Sequence, residues 1–137
     1  MIHIRRSDYI QNNEQLSIEY YEKSINYAIR NIDNFKFDIF TDDVEWVNSQ
    51  EIFSDAQNIY GPTNTSSYEE DVVRTFSKML NYNNFIIANS TFSWWSARIS
   101  YTEESTVIYP KPFFKKENFD IFPKEWVGSN HIDFRNE

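Results

Sequence analysis

Two adjacent arginines near the start of the chain are residues whose type and position could do chemistry. Arg5 and Arg6 end a strand predicted over Met1–Arg6, and neighbouring strand residues point to opposite faces, so one arginine is expected on each side. Arginine binds phosphate bidentately and stays charged. With only two glycines in the sequence, a glycine-rich phosphate loop is excluded. An arginine is then the expected anchor for a pyrophosphate, and pairing with nearby acids is the alternative.

A run of small hydroxyl residues forms a second candidate anion site. Residues Asn89–Trp95 read NSTFSWW and lead from a predicted strand into a predicted helix. A helix N-terminus offers free N–H groups and a favourable dipole to an anion. Three hydroxyl side chains add further donors: Ser90, Thr91 and Ser93. The alternative is ordinary helix capping by Asn89 or Ser90, with Phe92, Trp94 and Trp95 packed in the core.

Acidic residues open two further predicted helices. Asp42 and Asp43 follow a predicted strand, where paired acids could bind Mg²⁺ or act as a base and its orienting partner. The alternative is that Asp42 caps a helix over Asp42–Ser49, with Glu45 completing a capping box. The run Glu69–Asp71 begins a later helix, where acids suit the helix dipole and a base-binding acid is the second interpretation.

The elements that must position these residues alternate between strand and helix. Apolar patterns bounded by turn residues predict strands over 1–6, 35–41, 56–60, 85–88 and 106–109. Apolar residues at helical spacing predict helices over 14–31, 42–49, 68–82 and 92–101. Residues 113–137 are predicted to be mostly irregular, with Trp126 as a docking anchor.

This alternation predicts an α/β domain with a mainly parallel sheet. Ligands in such sheets bind at the carboxyl ends of the strands. Three polar clusters fall at the end of a predicted strand or just after it: Arg5–Asp8, Thr41–Asp43 and Asn89–Thr91. We therefore expect the three clusters to gather at one edge of the sheet.

Length and composition narrow the class of protein. The 137 residues suit one domain, and the net charge of −8 argues against a non-specific nucleic-acid partner. The absence of cysteine excludes disulfides and thiolate chemistry, and two histidines do not favour a histidine-rich metal site. The sequence contains no apolar run of the ~20 residues that span a bilayer and no signal-peptide pattern. A cytosolic protein, or one at the cytosolic face of a membrane, is the default expectation.

Three segments, in their order and spacing, resemble the motifs of glycosyltransferase family 11, the α-1,2-fucosyltransferases. They read HIRRSDY at residues 3–9, FTDD at 40–43 and IIANSTFSWW at 86–95. The resemblance implies a Rossmann-like sheet flanked by helices, similar to the C-terminal half of a GT-B glycosyltransferase. It also implies an inverting transfer of L-fucose from GDP-L-fucose to a galactoside or another glycan hydroxyl, without a metal or cofactor. The partners would be the nucleotide sugar and the glycan acceptor, with no nucleic acid.

The resemblance also implies roles for single residues. Arg5 matches the family arginine that holds the β-phosphate and stabilises the departing GDP. His3 would lie beside the nucleotide, and Asp8 would orient Arg5 or activate the acceptor hydroxyl. The phosphate-facing turn would consist of Ser90, Thr91 and Ser93. The remaining motif positions are expected to be structural: Arg6, Asp42, Asp43, Asn89, Trp94 and Trp95.

The sequence departs from the family pattern in the helix predicted over 68–82. The family commonly has an acid where this sequence has Thr75. Asp71, one turn earlier, is the candidate for the guanine contact. Two alternative functions stay open. One is a transferase of the same fold that uses another nucleotide sugar. The other is a non-catalytic carbohydrate-binding domain.

The resemblance has a consequence for domain organisation. Residues 1–137 would form a single GDP-sugar-binding domain without the N-terminal acceptor-side half of the family. The isolated chain is then not expected to transfer fucose. Peripheral membrane association through that half, or a Golgi anchor upstream, stays open.

Overall fold

Strands and helices alternate along the chain in a computed structural model that describes residues 1–116 and 120–132. The strands are β1 (Ile2–Ile4), β2 (Ile39–Thr41), β3 (Ile59–Tyr60), β4 (Phe85–Ile86), β5 (Val107–Tyr109) and β6 (Val127–Gly128). The α-helices are α1 (Ser7–Gln11), α2 (Ile18–Asn31), α3 (Val44–Asn48), α4 (Tyr68–Met79) and α5 (Thr91–Ser100). Short 3-10 turns cover Glu51–Phe53 and Ser129–His131.

The six strands form one sheet in the order β3-β2-β1-β4-β5-β6, and every neighbouring pair is parallel. Ile2 of β1 lies opposite Ile39 of β2 on one side and Ile86 of β4 on the other. The strand order therefore reverses between β1 and β4, which is where ligands bind in such sheets, beyond the carboxyl ends of the strands. The predicted α/β class with a Rossmann-like parallel sheet is confirmed.

The core lies on both faces of the sheet because side chains alternate along each strand. One face packs against α2 and includes buried residues from four strands: Ile2, Ile4, Ile39, Ile86 and Ile108. The opposite face meets α4 and α5 and includes a second set: Met1, Phe40, Phe85, Ile87, Val107 and Tyr109. By this alternation Arg5 continues the α4–α5 side of β1, and Arg6 continues the α2 side.

Capping residues begin the two long helices. Ser17 precedes α2, and its hydroxyl accepts a hydrogen bond from Tyr20 N. Ser67 and Glu70 form a reciprocal capping box at the start of α4. The Tyr20 hydroxyl donates to the Ile87 carbonyl over 2.7 Å, so α2 is fixed against the end of β4.

The structure corrects three predictions. Asp43, not Asp42, caps α3 by accepting from Trp46 N, because Asp42 bonds elsewhere. Helix α1 follows β1 where no element was predicted, and β6 with its 3-10 turn lies in the segment predicted to be irregular. Residues 117–119 and 133–137 of that segment lie outside the described residues. Trp126 is buried against the α4–α5 face of the sheet, which agrees with its predicted role as a docking anchor.

Helix length and polarity bear on membrane insertion. Within residues 1–116 and 120–132, none of the helices combines the length and the apolar character needed to cross a bilayer.

His3 is a buried histidine on the central strand. It is 7% exposed, and its ring lies 6.0 Å from that of Phe92. Burial, with a smaller contribution from the Arg5 charge, lowers the pKa of His3 from 6.5 to about 3. The folded protein therefore holds this imidazole neutral at pH values where the unfolded chain protonates it.

Replacement of His3 should change how stability depends on pH. Below the unfolded pKa of 6.5, the unfolded state binds the extra proton, so the free energy of unfolding falls as the pH falls. Between about pH 6 and about pH 5, the free energy of unfolding measured with urea should fall by about 1 kcal/mol more for the parent than for His3→Gln. His131 is exposed, so His131→Gln should keep the parental dependence. An unchanged dependence in His3→Gln would contradict the buried neutral imidazole.

Candidate active site

A cleft of about 410 Å³ lies at the carboxyl ends of β1, β2 and β4. The predicted clusters meet there, since its lining includes residues that follow each of these strands: Arg5, Asp8, Asp42 and Ser90. His3 lines the cleft from within β1, and Thr75 from α4. The expectation that the three clusters gather at one edge of the sheet is thus met at the point where the strand order reverses.

The Arg5 side chain is oriented by two carboxylates at the mouth of this cleft. Its Nη2 atom lies 2.8 Å from Asp8 Oδ1, and its Nη1 atom lies 3.3 Å from Asp42 Oδ2. The guanidinium also lies 5.6 Å from the ring centroid of Tyr9. The side chain is 36% exposed, so the acid pairing expected as an alternative is present and still leaves the guanidinium open to the cleft.

Asp42 joins the ends of β1 and β2. Its carboxylate accepts hydrogen bonds from Arg6 N over 2.8 Å and from Ser7 N over 3.2 Å, in addition to facing Arg5. These amides lie at the start of α1, where N–H groups lack partners within the helix. The side chain is only 14% exposed. Asp42 therefore fixes both the backbone after β1 and the direction of the Arg5 side chain.

Arg6 lies on the other face of the sheet. Its Nε atom donates to Asp43 Oδ2 over 3.1 Å, and its guanidinium lies 3.8 Å from the ring centroid of Trp46. It does not line the cleft. Arg6 and Asp43 thus hold α3 against the end of β1, while Arg5 remains at the cleft.

The turn between β4 and α5 contributes unequally to the cleft. The Ser90 hydroxyl accepts from Phe92 N over 3.3 Å, so Ser90 caps α5 and also lines the cleft. The Ser93 hydroxyl is buried and donates to the Ser90 carbonyl over 3.3 Å. Thr91 is exposed and is not part of the lining. Of the three predicted hydroxyl residues, the structure brings only Ser90 into the cleft.

Asn89 and the tryptophans support the turn from behind. Asn89 Nδ2 donates to the Glu14 carbonyl over 2.7 Å, and the Tyr9 hydroxyl donates to the Asn89 carbonyl over 3.0 Å. The ring centroids of Trp94 and Trp126 lie 5.9 Å apart in the core. Trp95 is 53% exposed, so it does not share the buried position expected for both tryptophans.

Asp71 and Thr75 line the far wall of the cleft on α4. The Asp71 carboxylate accepts from Thr63 N over 3.3 Å, from the Thr63 hydroxyl over 2.9 Å and from the Ser66 hydroxyl over 2.9 Å, and it pairs with Arg74. The Ser66 and Thr63 hydrogen bonds lower the pKa of Asp71. This carboxylate therefore holds the loop before α4 in place.

Sequence reasoning missed several aromatic lining residues of the cleft: Tyr9, Tyr60, Tyr68 and Phe92. Tyr9 stands in the HIRRSDY segment, but α1, which positions it, was not predicted. Tyr68 is 78% exposed as the first residue of α4. The signal available in the sequence was a large aromatic residue at the first position of a predicted helix. Its exposure in the structure fits a binding surface, since large exposed apolar side chains often mark such surfaces.

Comparison with known proteins gives the relationship of this chain. An alpha-1,2-colitosyltransferase from Escherichia coli is 36% identical, over 92% of this chain and 46% of that protein. The O-antigen biosynthesis glycosyltransferase WbnK from Escherichia coli is 37% identical, over 85% of this chain and 39% of that protein. The chain thus spans less than half the length of these two relatives. No solved structure gives a significant match.

A family match covers nearly the whole chain. Glycosyl transferase family 11 matches residues 1–130, which include all three motif segments and every cleft residue named above. Because the match extends over β1 to β6 and the resemblance of the motifs is confirmed, the chain belongs to glycosyltransferase family 11.

Proposed function

We propose that this chain binds the nucleotide-sugar donor for an α-1,2-glycosyl transfer, with GDP-L-fucose as the donor and a glycan hydroxyl as the acceptor. The observation that carries the proposal is that Arg5 and Ser90 line one cleft at the switch point of the sheet. This is where α/β sheets bind nucleotides. Residues 1–137 would act as the donor-binding domain of a longer enzyme.

The diphosphate is proposed to lie between Arg5 and the N-terminus of α5. A guanidinium carries several N–H donors in a planar fork. The contacts to Asp8 and Asp42 leave donors for a phosphate. On the other side, the first turn of α5 offers N–H groups and the positive end of the helix dipole. Ser90 adds a hydroxyl at the same place.

The chemistry needs charge stabilisation more than a nucleophilic side chain. The acceptor oxygen attacks C1 of the sugar from the face opposite the phosphate, and the C1–O bond to the β-phosphate breaks. The electron pair of that bond goes to the phosphate oxygen, where Arg5 and the α5 N–H groups stabilise the developing charge. The acceptor hydroxyl gives its proton to a base, and the sugar configuration inverts.

Asp8 is the proposed base or orienting carboxylate of the cleft. Its side chain is 55% exposed and is held by Arg5. A phosphate on the remaining guanidinium donors of Arg5 would repel the Asp8 carboxylate, because both groups are negatively charged. Donor binding would thus weaken the Arg5–Asp8 pair and leave the carboxylate available to accept a proton.

The nucleoside is proposed to lie along α4 and β3. Tyr60 and Tyr68 line this part of the cleft beside Thr75, and aromatic rings can stack on a purine base. The Asp71 carboxylate is occupied by the loop before α4. Thr75 is therefore the proposed guanine contact, and Asp71, the candidate from the sequence, is proposed as a positioning residue.

A second candidate function is a transferase of the same fold with another sugar on the nucleotide. The similarity to an alpha-1,2-colitosyltransferase supports this candidate, because that relative's name specifies colitose as the transferred sugar. The two candidates share the diphosphate site at Arg5 and differ only at the sugar and base contacts.

Arg5→Ala should weaken GDP binding about ten- to a hundredfold, since it removes a charge-assisted contact to the diphosphate. Isothermal titration calorimetry measures this directly. Arg5→Lys should recover only part of the affinity, because it keeps the charge and loses the fork. Arg98 is exposed on α5, so Arg98→Ala is the matched control and should bind GDP normally. Equal affinities for the parent and Arg5→Ala would contradict the proposed diphosphate site.

Competition among GDP, UDP and dTDP should identify the base. We expect GDP to bind most tightly, and Thr75→Val to reduce its advantage, because the base loses a hydrogen-bonding hydroxyl. The measurement is displacement of a fluorescent GDP analogue by each nucleotide. Preference of the parent for UDP or dTDP would refute GDP-L-fucose as the donor while leaving the diphosphate site intact.

A further inference from the structure

A second cleft of about 530 Å³ lies at the same edge of the sheet, beside the donor cleft. Residues that follow three strands line it: Asn89 after β4, Lys111 after β5 and Ser129 after β6. The opposite wall is the segment that leads into α2, with Gln15 and Ser17. None of the residues assigned to the diphosphate site lines this cleft.

Two buried amide oxygens in the wall of this second cleft lack donors. Within the described part of the chain, Asn89 Oδ1 and Gln15 Oε1 have no hydrogen-bond partner. Asn89 is only 1% exposed, and its Nδ2 group is held by the Glu14 carbonyl, which fixes the orientation of the amide. A buried acceptor without a donor is costly to the folded state. The pair therefore points to a ligand that brings hydroxyl or N–H donors.

The surrounding chemistry favours a neutral, polyhydroxylated ligand. The charged groups of the lining are of both signs, with two acids and three lysines. Lys23 pairs with Glu19, the Glu14 carboxylate accepts from the backbone N–H of Lys115, and the Lys115 ammonium donates to the Asn13 carbonyl. Ser17 and Ser129 contribute hydroxyls, and Tyr20 contributes an aromatic ring. Amide oxygens, hydroxyls and a ring edge are groups that hydrogen-bond and pack against a sugar.

The two clefts share a wall at the β4–α5 turn. Asn89 lines the second cleft and the next residue, Ser90, lines the donor cleft. Tyr9 also lines the donor cleft, and its hydroxyl donates to the Asn89 carbonyl over 3.0 Å. A sugar in the second cleft would thus lie on the other side of the β4–α5 turn from the proposed diphosphate site.

We propose that this second cleft binds a sugar residue of the glycan acceptor, with Gln15 and Asn89 accepting hydrogen bonds from its hydroxyls. This inference rests on the proposed function, because it assigns the acceptor side of the same reaction. It places part of the acceptor site on the domain that also binds the donor.

The test follows side-chain amide resonances of the ¹⁵N-labelled chain during titration with methyl glycosides of galactose, glucose, N-acetylglucosamine and N-acetylgalactosamine. At least one glycoside should shift the Gln15 and Asn89 amide signals. Gln15→Ala should weaken that binding about tenfold, as expected for a lost hydrogen bond to the ligand. Gln11 is exposed at the end of α1, so Gln11→Ala is the matched control and should bind the glycoside normally. Circular dichroism melting verifies that both variants fold.

GDP titration of the same sample separates this inference from the proposed function. Normal GDP binding with no shift from any glycoside overturns the acceptor site alone. A glycoside shift that Gln15→Ala leaves unchanged also overturns it. Glycoside binding at Gln15 and Asn89 without GDP binding supports the sugar site and counts against the donor-binding proposal.

Discussion

The carboxylate of Asp42 is the interaction on which the geometry of the cleft depends. It bonds the backbone N–H groups of Arg6 and Ser7, where β1 ends and α1 begins, and it faces the Arg5 guanidinium. A residue that directly follows β2 thus fixes the position at which the chain leaves the neighbouring strand β1. Without it, the Arg5 guanidinium would keep only its ion pair with Asp8. The energetic gain from a bound phosphate would then be reduced by the cost of ordering the arginine side chain.

The parallel sheet makes this anchor effective. Because β1 is central and neighbours both β2 and β4, the residues that follow these three strands meet at one place although they are distant in sequence. Alternation along β1 then separates the two arginines: Arg5 lies at the cleft, and Arg6 packs on Trp46 at the opposite face. The same sheet edge also provides the second cleft, on the other side of the β4–α5 turn.

Much of this arrangement could be predicted from local patterns. The two-residue period of β1 placed the arginines on opposite faces, and strand–helix alternation predicted that the polar clusters would meet. Interactions between distant segments could not be predicted. Asp43 caps α3 in place of Asp42, because the Asp42 carboxylate bonds amides 35 and 36 residues away. The two-residue strand β6 is too short to show a period and depends on β5 for its pairing.

A crystal structure of the chain with GDP tests the central claim most directly. The account predicts the β-phosphate between the Arg5 guanidinium and the N-terminus of α5, with Asp42 still bonded to the amides of Arg6 and Ser7. A diphosphate bound in the second cleft, or on the Arg6 face of the sheet, would contradict it.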